Sequence, residues 1–401
     1  MNSIKITTLK SQNPYTEICN ILQIENYYFL LDAGKEWSKS IINPAEIFTI
    51  LISHAHIEHI KGLLSLLNLG YKNKIFTTSG TKILLPLILE EYLKSNFAFK
   101  ENFIKKLIDK ITDKIFSLDF GKVFSINEKI DIRFKPAYHT FGSSFIEIDL
   151  REKTKISTKI VYSGDLGATE TPLLLSPKSP WRADILILET ANSNLIYPEP
   201  SKRKEILKKF LDENKIIVIP EYSIGRVEEI IYEINRISPE TKIIFDTPIA
   251  DKVEKYYTST IKNFKEEILL KLQKKGLKFK NLEFISTEKE HKKFLQNLNS
   301  IKNSVIITPP PSLTTGRSSD YLKYKDMITF IGLTPAYLNS YPFINYLPFY
   351  SSHADKRNLV NFLKRIRFKP QKIVLFHSNE NLISSFQEEI KNFLTLYTIL
   401  S

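Results

Sequence analysis

The sequence predicts an α/β protein in which one domain is interrupted by another, and three observations carry that expectation. A β-branched apolar run, Ile47-Phe48-Thr49-Ile50-Leu51-Ile52, ends abruptly in Ser53-His54-Ala55-His56-Ile57-Glu58-His59, as a buried strand does when it delivers polar side chains at its C-terminal end. From about 196 to 348 helical and extended patterns alternate, which implies a parallel sheet covered by helices. Residue types like those of the first cluster then resume at Tyr350-Ser351-Ser352-His353-Ala354-Asp355 and at Lys372-Ile373-Val374-Leu375-Phe376-His377-Ser378-Asn379-Glu380, so the chain returns to finish what it began.

Three of the seven histidines fall between positions 54 and 59, with a carboxylate among them. Imidazoles two apart, a carboxylate and a third imidazole can surround one or two divalent ions, zinc being the natural choice. His139, His353 and His377 sit at strand ends or beside small residues, whereas His291, in a charged helical stretch, reads as surface. The chain has 401 residues, 42% of them hydrophobic and 25% charged, which fits a globular protein long enough for two domains and excludes a disordered one. A formal net charge of +13 favours a polyanionic partner such as nucleic acid. The single cysteine, Cys19, allows no intrachain disulfide and suits a reducing compartment. Met1-Asn2-Ser3-Ile4-Lys5 is not a signal pattern, and apolar runs such as Ile83 to Leu89 are too short to span a bilayer. A cytoplasmic protein without a membrane partner is expected.

Taken in order, residues 4 to 9, 18 to 24 and 27 to 31 read as strands. The last ends at Leu31-Asp32-Ala33-Gly34, where Asp32 can hydrogen-bond a neighbouring metal ligand. Ile60, Leu63, Leu64 and Leu67 recur at helical spacing after the first cluster, and helices are expected over 80–95 and 101–110. Strands over 122–126, 130–136 and 144–149 follow, with His139 on the loop between the last two. Strand 158–163 ends in Ser163-Gly164-Asp165-Leu166-Gly167, a carboxylate between glycines where backbone can approach a metal closely. Strand 184–188 ends in Glu189. Beyond it are expected helix 200–212, strand 215–219, helix 224–236, strand 241–245, helices to about 275, strand 280–285, helix 287–299 and strand 303–308. Thr308-Pro309-Pro310-Pro311 marks a rigid loop.

These pieces in this order resemble the metallo-β-lactamase superfamily and, within it, the β-CASP nucleases that process RNA and DNA. Asp32 resembles the first motif, His54-Ala55-His56-Ile57-Glu58-His59 the second, His139 the third and Asp165 the fourth. Glu189, Ser352-His353-Ala354-Asp355 and His377 are similar to the three β-CASP motifs, and Pro220 to Arg226 and Asp246 to Ala250 to segments of the cap. The His-Ala-Asp of the second cap motif and the short end after His377 are most similar to the cleavage-and-polyadenylation type of endonuclease, beside the RNase J-like ribonucleases. The resemblance implies a metallo-β-lactamase αββα sandwich, residues 1–195 and 349–401, with an inserted β-CASP α/β domain, residues 196–348. Three departures accompany it: Glu58 stands where the family has aspartate, Asn13-Pro14-Tyr15-Thr16 replaces a glycine-rich start, and His-Ser-Asn-Glu replaces His-Gly-Glu.

The chemistry implied is hydrolysis of RNA phosphodiester bonds by a metal-bound hydroxide, leaving 5′-phosphate and 3′-hydroxyl ends. By the resemblance, His54, His56 and His139 hold one Zn2+, Glu58, His59 and His377 the other, and Asp165 bridges. The longer side chain of Glu58 makes the second site the weaker, or one that accepts Mn2+. Asp32 supports the centre, His353 acts as general acid, and Glu189 hydrogen-bonds His353 and keeps it protonated. Lys356, Arg357, Lys364, Arg365 and Arg367, on a helix whose Leu359, Leu363 and Ile366 face the core, are expected to track a phosphate backbone. Ser352 and Arg226 join them as RNA-binding residues. The expected partner is single-stranded RNA, with DNA as the alternative, and a homodimer is compatible with the sequence. Competing readings are a non-catalytic β-CASP scaffold and a small-molecule metallohydrolase.

Overall fold

The computed structural model describes residues 3–152, 155–213, 215–264, 278–333, 341–350, 353–391 and 398–400. Among these, the strands form three sheets. The first runs, in spatial order, Ile4–Thr8, Asn20–Ile24, Tyr27–Leu31, Ile47–Leu51, Ile75–Thr78 and Ile115–Leu118. The second runs Thr398–Leu400, Lys372–Phe376, Ile185–Glu189, Lys155–Tyr162, Ser144–Glu152, Ile130–Pro136 and Phe124–Ser125. Phe29, Leu31 and Leu51 of the first sheet meet Ile132, Phe134, Ile146, Ile148, Tyr162 and Phe376 of the second in one buried cluster, so the two sheets pack face to face.

Helices close both outer faces. Leu84, Leu85 and Ile88 of helix Ser79–Asn96 and Ile104, Ile108 and Ile111 of helix Glu101–Thr112 bury against Ile50 and Ile75. On the other side, Leu359, Phe362 and Leu363 of helix Lys356–Arg365, with Phe386 and Ile390 of helix Glu380–Lys391, cover Val161, Leu186 and Leu375. The result is a four-layer αββα sandwich. Strand Lys372–Phe376 pairs in parallel with Ile185–Glu189, so chain on either side of the long insertion meets edge to edge.

The insertion carries the third sheet, in the order Leu282–Ile285, Lys242–Asp246, Ser304–Thr308, Ile216–Pro220, Ile328–Gly332 and Asn345–Tyr346, with every pairing parallel. Its helices begin and end where local chemistry dictates. Thr287 and Glu290 form a capping box that starts helix Glu288–Gln296. The helix expected from 224 starts only at Glu228, because Gly225 adopts φ +98°. Part of the expected helical stretch to 275 lies outside the described residues; Ala250–Thr258 is helical. Strands Ile75–Thr78, Ile115–Leu118 and Ile328–Gly332 were not anticipated: the first two have four residues each, too few for periodicity to register.

Candidate metal centre and active site

The site lies at the C-terminal ends of the strands, where side chains leave a sheet without disrupting its ladder. Leu31 and Leu51 are paired partners, so Asp32 and Ser53 emerge side by side. Glu189 is paired with Phe376, which sets Glu189 next to the residue before His377. His139 enters from the turn joining Ile130–Pro136 to Ser144–Glu152, and Asp165 follows Lys155–Tyr162. Two glycines permit the loops to converge. A Cβ on Gly164, at φ +50°, would lie 2.6 Å from Ser53 Cβ, and one on Gly167 would lie 2.2 Å from the Tyr138 carbonyl oxygen. His353 joins the loop after Asp165 through a bridge with Gly167.

Six of the seven histidines converge on one carboxylate. Asp165 Oδ2 lies 3.2 Å from His59 Nε2, 3.5 Å from His54 Nε2, 3.6 Å from His139 Nε2 and 3.8 Å from His353 Nε2. Asp165 Oδ1 lies 2.9 Å from His377 Nδ1, and His56 Nδ1 lies 3.0 Å from His139 Nε2. Four groups have ligand atoms mutually within 4.8 Å: His54, His56, His139 and Asp165; Asp32, His54 and His59; His59, Asp165 and His377; and Glu189, His353 and His377. All are buried.

The surroundings aim the rings. Asp32 accepts from Ser53 N at 2.7 Å, Ser53 Oγ at 2.7 Å and Tyr162 Oη at 2.6 Å, and it lies 2.7 Å from His59 Nδ1. That last contact fixes the His59 proton on Nδ1 and turns Nε2 toward Asp165. Ser53 Oγ, committed as donor to Asp32, accepts from His54 Nδ1 at 2.9 Å, which leaves His54 Nε2 with a lone pair. His56 Nε2 donates to the Gly225 carbonyl at 2.9 Å. His54 Nε2, His59 Nε2 and Asp165 Oδ2 nevertheless have no hydrogen-bond partner although fully buried. Ligands on a tetrahedral zinc with bonds of about 2.0 Å stand about 3.3 Å apart, close to the spacing found around Asp165 Oδ2. A buried carboxylate oxygen and imidazole nitrogens that converge without a hydrogen bond among them fit a cation, which would take the place of the proton that Asp165 and Asp32 otherwise hold on His59, and the donor set of imidazoles plus carboxylate suits zinc.

Burial and charge set the protonation. Burial would lower the His59 pKa, but Asp165 and Asp32 overcome it and hold the ring well above its ordinary value. Burial drives His54 and His56 well below theirs, the latter with help from Arg226. Asp165, despite burial, is held well below the usual carboxylate range by His377 and His59.

Four expectations need correction or completion. Glu58 is outside all four groups: its Oε1 accepts from Arg226 Nη2 at 2.6 Å and stays 3.9 Å from His56 Nδ1. The extra methylene carries the carboxylate past the cluster to the inserted domain, and Arg226 holds Glu58 below its ordinary pKa against the cost of burial. Arg226, expected on an RNA path, is therefore buried and turned inward. The expected Glu189–His353 hydrogen bond is not formed, since Glu189 Oε1 and His353 Nδ1 are 3.7 Å apart. Glu189 instead accepts from Leu166 N at 3.3 Å and Ala191 N at 2.8 Å. Burial pushes His353 down to about 3, and burial with Asp165 pushes Glu189 up to about 8, shifts that disfavour the expected imidazolium–carboxylate pair. His291 is buried too, bound to Asp246.

Ser352 lies outside the described residues. Arg357, Lys364, Arg365 and Arg367 are exposed, Lys356 partly so. Arg357 Nη2 donates to the Tyr197 carbonyl at 2.7 Å, and Arg367 lies over the Trp181 ring at 4.7 Å. The helix starts beside His353, but ten residues carry its far end about 15 Å away. Sequence reasoning missed Tyr162 and the Glu58–Arg226 pair. Tyr162, immediately before Ser163-Gly164-Asp165, had position as its signal; the pair spans 168 residues and had none.

Residues 27–193 match the model of a beta-lactamase superfamily domain, 227–328 that of a Beta-Casp domain, and 343–399 that of a Zn-dependent metallo-hydrolase RNA specificity domain. A ribonuclease of Thermus thermophilus is 27% identical over 314 residues, 73% of this chain and 69% of the relative. An RNase J-like protein of Methanocaldococcus jannaschii is 24% identical over 427 residues, 95% of this chain and 94% of the relative. Cleavage and polyadenylation specificity factor subunit 3-I of Arabidopsis thaliana is 23% identical over 394 residues, 87% of this chain; the match spans 54% of that protein. No helix among the described residues is long and apolar enough to cross a membrane. A sandwich that presents histidines and carboxylates at its strand ends, with a parallel-sheet insertion over them, and the three domain matches agree: the chain belongs to the β-CASP nucleases of the metallo-β-lactamase superfamily.

Proposed function

We propose that this chain is a zinc-dependent ribonuclease that hydrolyses single-stranded RNA and leaves 5′-phosphate and 3′-hydroxyl ends, with residues 196–348 as the cap over the site. The observation that carries the reading is Asp165 Oδ2, buried, without a hydrogen bond, and within 3.8 Å of four imidazole nitrogens. His54, His56, His139 and Asp165 would hold one ion and His59, His377 and Asp165 a second. Two such ions supply, when bound, an activated water at neutral pH and neutralise charge developing on the phosphoryl oxygens.

The chain's own residues do the rest. Asp32 fixes the ring of His59 and, through Ser53, that of His54, so these two rings are already aimed at Asp165. The departing 3′ oxygen needs a proton. Glu189 stores it, and His353 relays it by accepting at Nδ1 and releasing at Nε2, which faces Asp165; the 3.7 Å gap between them has to close to about 2.8 Å for transfer. This replaces an imidazolium held by a carboxylate with a neutral imidazole recharged by a carboxylic acid.

The test is metal analysis of the purified chain together with cleavage of 5′-labelled single-stranded RNA and DNA in zinc. About two ions per chain and RNA products ending in 3′-hydroxyl are expected. A chain that binds no transition metal after reconstitution and cuts neither polymer is not a nuclease of this kind.

A further inference from the structure

Seven consecutive residues, Phe97-Ala98-Phe99-Lys100-Glu101-Asn102-Phe103, lie at the junction of helices Ser79–Asn96 and Glu101–Thr112, and all seven are exposed. Phe97, Phe99 and Phe103 are 43%, 43% and 48% exposed. Grouped aromatic rings left in water mark recognition surfaces, because each could withdraw a large apolar area on contact. These rings form a row. Tyr92 meets Phe97 edge-on at 5.7 Å, Phe97 and Phe99 lie parallel within 7° at 5.1 Å, and Phe103 meets Phe99 edge-on at 5.1 Å. The inner end of the row reaches the site. Tyr92 and Asn96 line a cavity of about 280 Å³ whose wall also holds His56, Glu58 and Arg226. Asn96 Oδ1 accepts from Thr315 Oγ1 of the insertion, so the row starts at the seam between the sandwich and the cap.

We propose that Phe97, Phe99 and Phe103 are a stacking platform for bases of a single-stranded RNA whose reacting phosphate lies in the cleft, an inference that rests on the ribonuclease function proposed above. Aromatic faces accept any base, so the platform lengthens the grip on a strand without adding sequence preference. Its setting is basic: residues 94–110 hold five lysines against Glu101 and Asp109, and Lys94 takes up Glu101 at 2.9 Å. Lys100, Lys105 and Lys106 are exposed beside the rings. A base between two rings needs about 3.5 Å to each face, about 7 Å in all. The 5.1 Å between Phe97 and Phe99 is too little for such a slot, so bases stack on the outward faces. Continuity with the cleft and the lysine surround favour a polyanionic strand over a protein partner or a second copy of the chain.

The experiment compares the full chain with its Phe97→Ser, Phe99→Ser, Phe103→Ser triple variant. Binding of labelled oligouridylates of about 4 and about 16 nucleotides is measured by anisotropy in chelator, and cleavage of the same oligomers in zinc. The triple variant should keep its thermal midpoint and its affinity for the short oligomer and lose on the order of tenfold per ring for the long one. Phe99→Trp should keep long-oligomer affinity, and its added emission should be quenched by the long oligomer. Equal affinity of parent and triple variant for the long oligomer, or no quenching, overturns the platform. So does a triple variant that binds RNA normally but changes from dimer to monomer in sedimentation, which would give the rings to a second copy. If the parent neither binds nor cleaves either oligomer, the ribonuclease reading falls and takes the platform with it; if the parent does both and the variant matches it, the platform alone falls.

Discussion

Two buried histidine–carboxylate clusters, one in the sandwich and one in the insertion, use the same residue types and end in opposite states. In the insertion Asp246 is saturated: its Oδ2 lies 2.6 Å from His291 Nδ1 and accepts from Tyr321 Oη at 2.7 Å, while Oδ1 accepts from Arg317 Nη1 at 2.9 Å. His291 uses its second nitrogen on Asp320 at 3.2 Å, and Arg317 also serves the Ile285 and Ser286 carbonyls. Every charge there has a partner within the protein, as a structural network requires. In the sandwich, Asp165 Oδ2, His54 Nε2 and His59 Nε2 converge without a hydrogen bond among them. Closure marks architecture and convergent lone pairs mark a ligand site, a distinction that residue type alone does not make.

The strongest way to break the comparison is to remove the central carboxylate of each cluster. Asp165→Asn should abolish metal binding and lower RNA cleavage on the order of a thousandfold or more, each ion contributing several kcal/mol to the transition state, with little loss of fold. Asp246→Ala should do the reverse. It strands His291 and Arg317 in the interior and should cost about 3–5 kcal/mol in denaturant unfolding, with metal content unchanged. Elemental analysis and urea melts of both variants decide the matter. If Asp246→Ala sheds metal, or Asp165→Asn retains it, the two clusters do not differ as described.

Glu58→Gln sharpens the boundary of the open cluster. The side chain bonds Arg226 and lies outside the groups around Asp165, so the variant should keep the parent's metal stoichiometry. Replacing a charged acceptor by a neutral one in a buried hydrogen bond should cost on the order of 1–3 kcal/mol of stability. Loss of one ion from the variant would restore Glu58 to the ligand set.

Most of the open cluster was legible because its residues sit in runs. His54, His56 and His59 follow a single apolar strand, and His139, Asp165, Glu189 and His377 each follow their own, so strand ends alone named residues that the structure draws together. Spatial relations across the insertion were not legible. Nothing local ties Glu58 to Arg226, and the spacing of Glu189 and His353 does not reveal a 3.7 Å gap or the burial that disfavours the charged form of each. His291 was misread for a related reason. Its helix is rich in lysine and glutamate, which signals a solvated face, yet the partner that buries it is Asp246, 45 residues earlier on a strand of the insertion's sheet. Backbone strain was equally invisible: Asp32 and His377 end their strands at φ 61° and 68°, left-handed conformations that cost on the order of 1 kcal/mol each and persist only because the surrounding contacts over-determine them.

The smallest expected effect is a pH dependence confined to the closed cluster. Burial disfavours a charged His291, but Asp246 and then Asp320 outweigh it, with Arg317 opposing, and the ring's pKa is raised above its ordinary value near 6.5. A histidine whose pKa is higher folded than unfolded contributes stability that is fully present below the unfolded value and lost as pH rises through the folded one. The stability difference between the parent and His291→Gln should therefore be largest near pH 5 to 6 and shrink as pH rises through and beyond about 7. The residues around Asp165 are the same in both proteins and cancel in the difference, since the clusters share no partner. Urea unfolding of both chains across this range, with metal removed, reads the effect. A gap that stays constant, or grows with pH, would mean that His291 is held neutral by Asp246 rather than charged, and the closed network would then be one of hydrogen bonds without an ion pair.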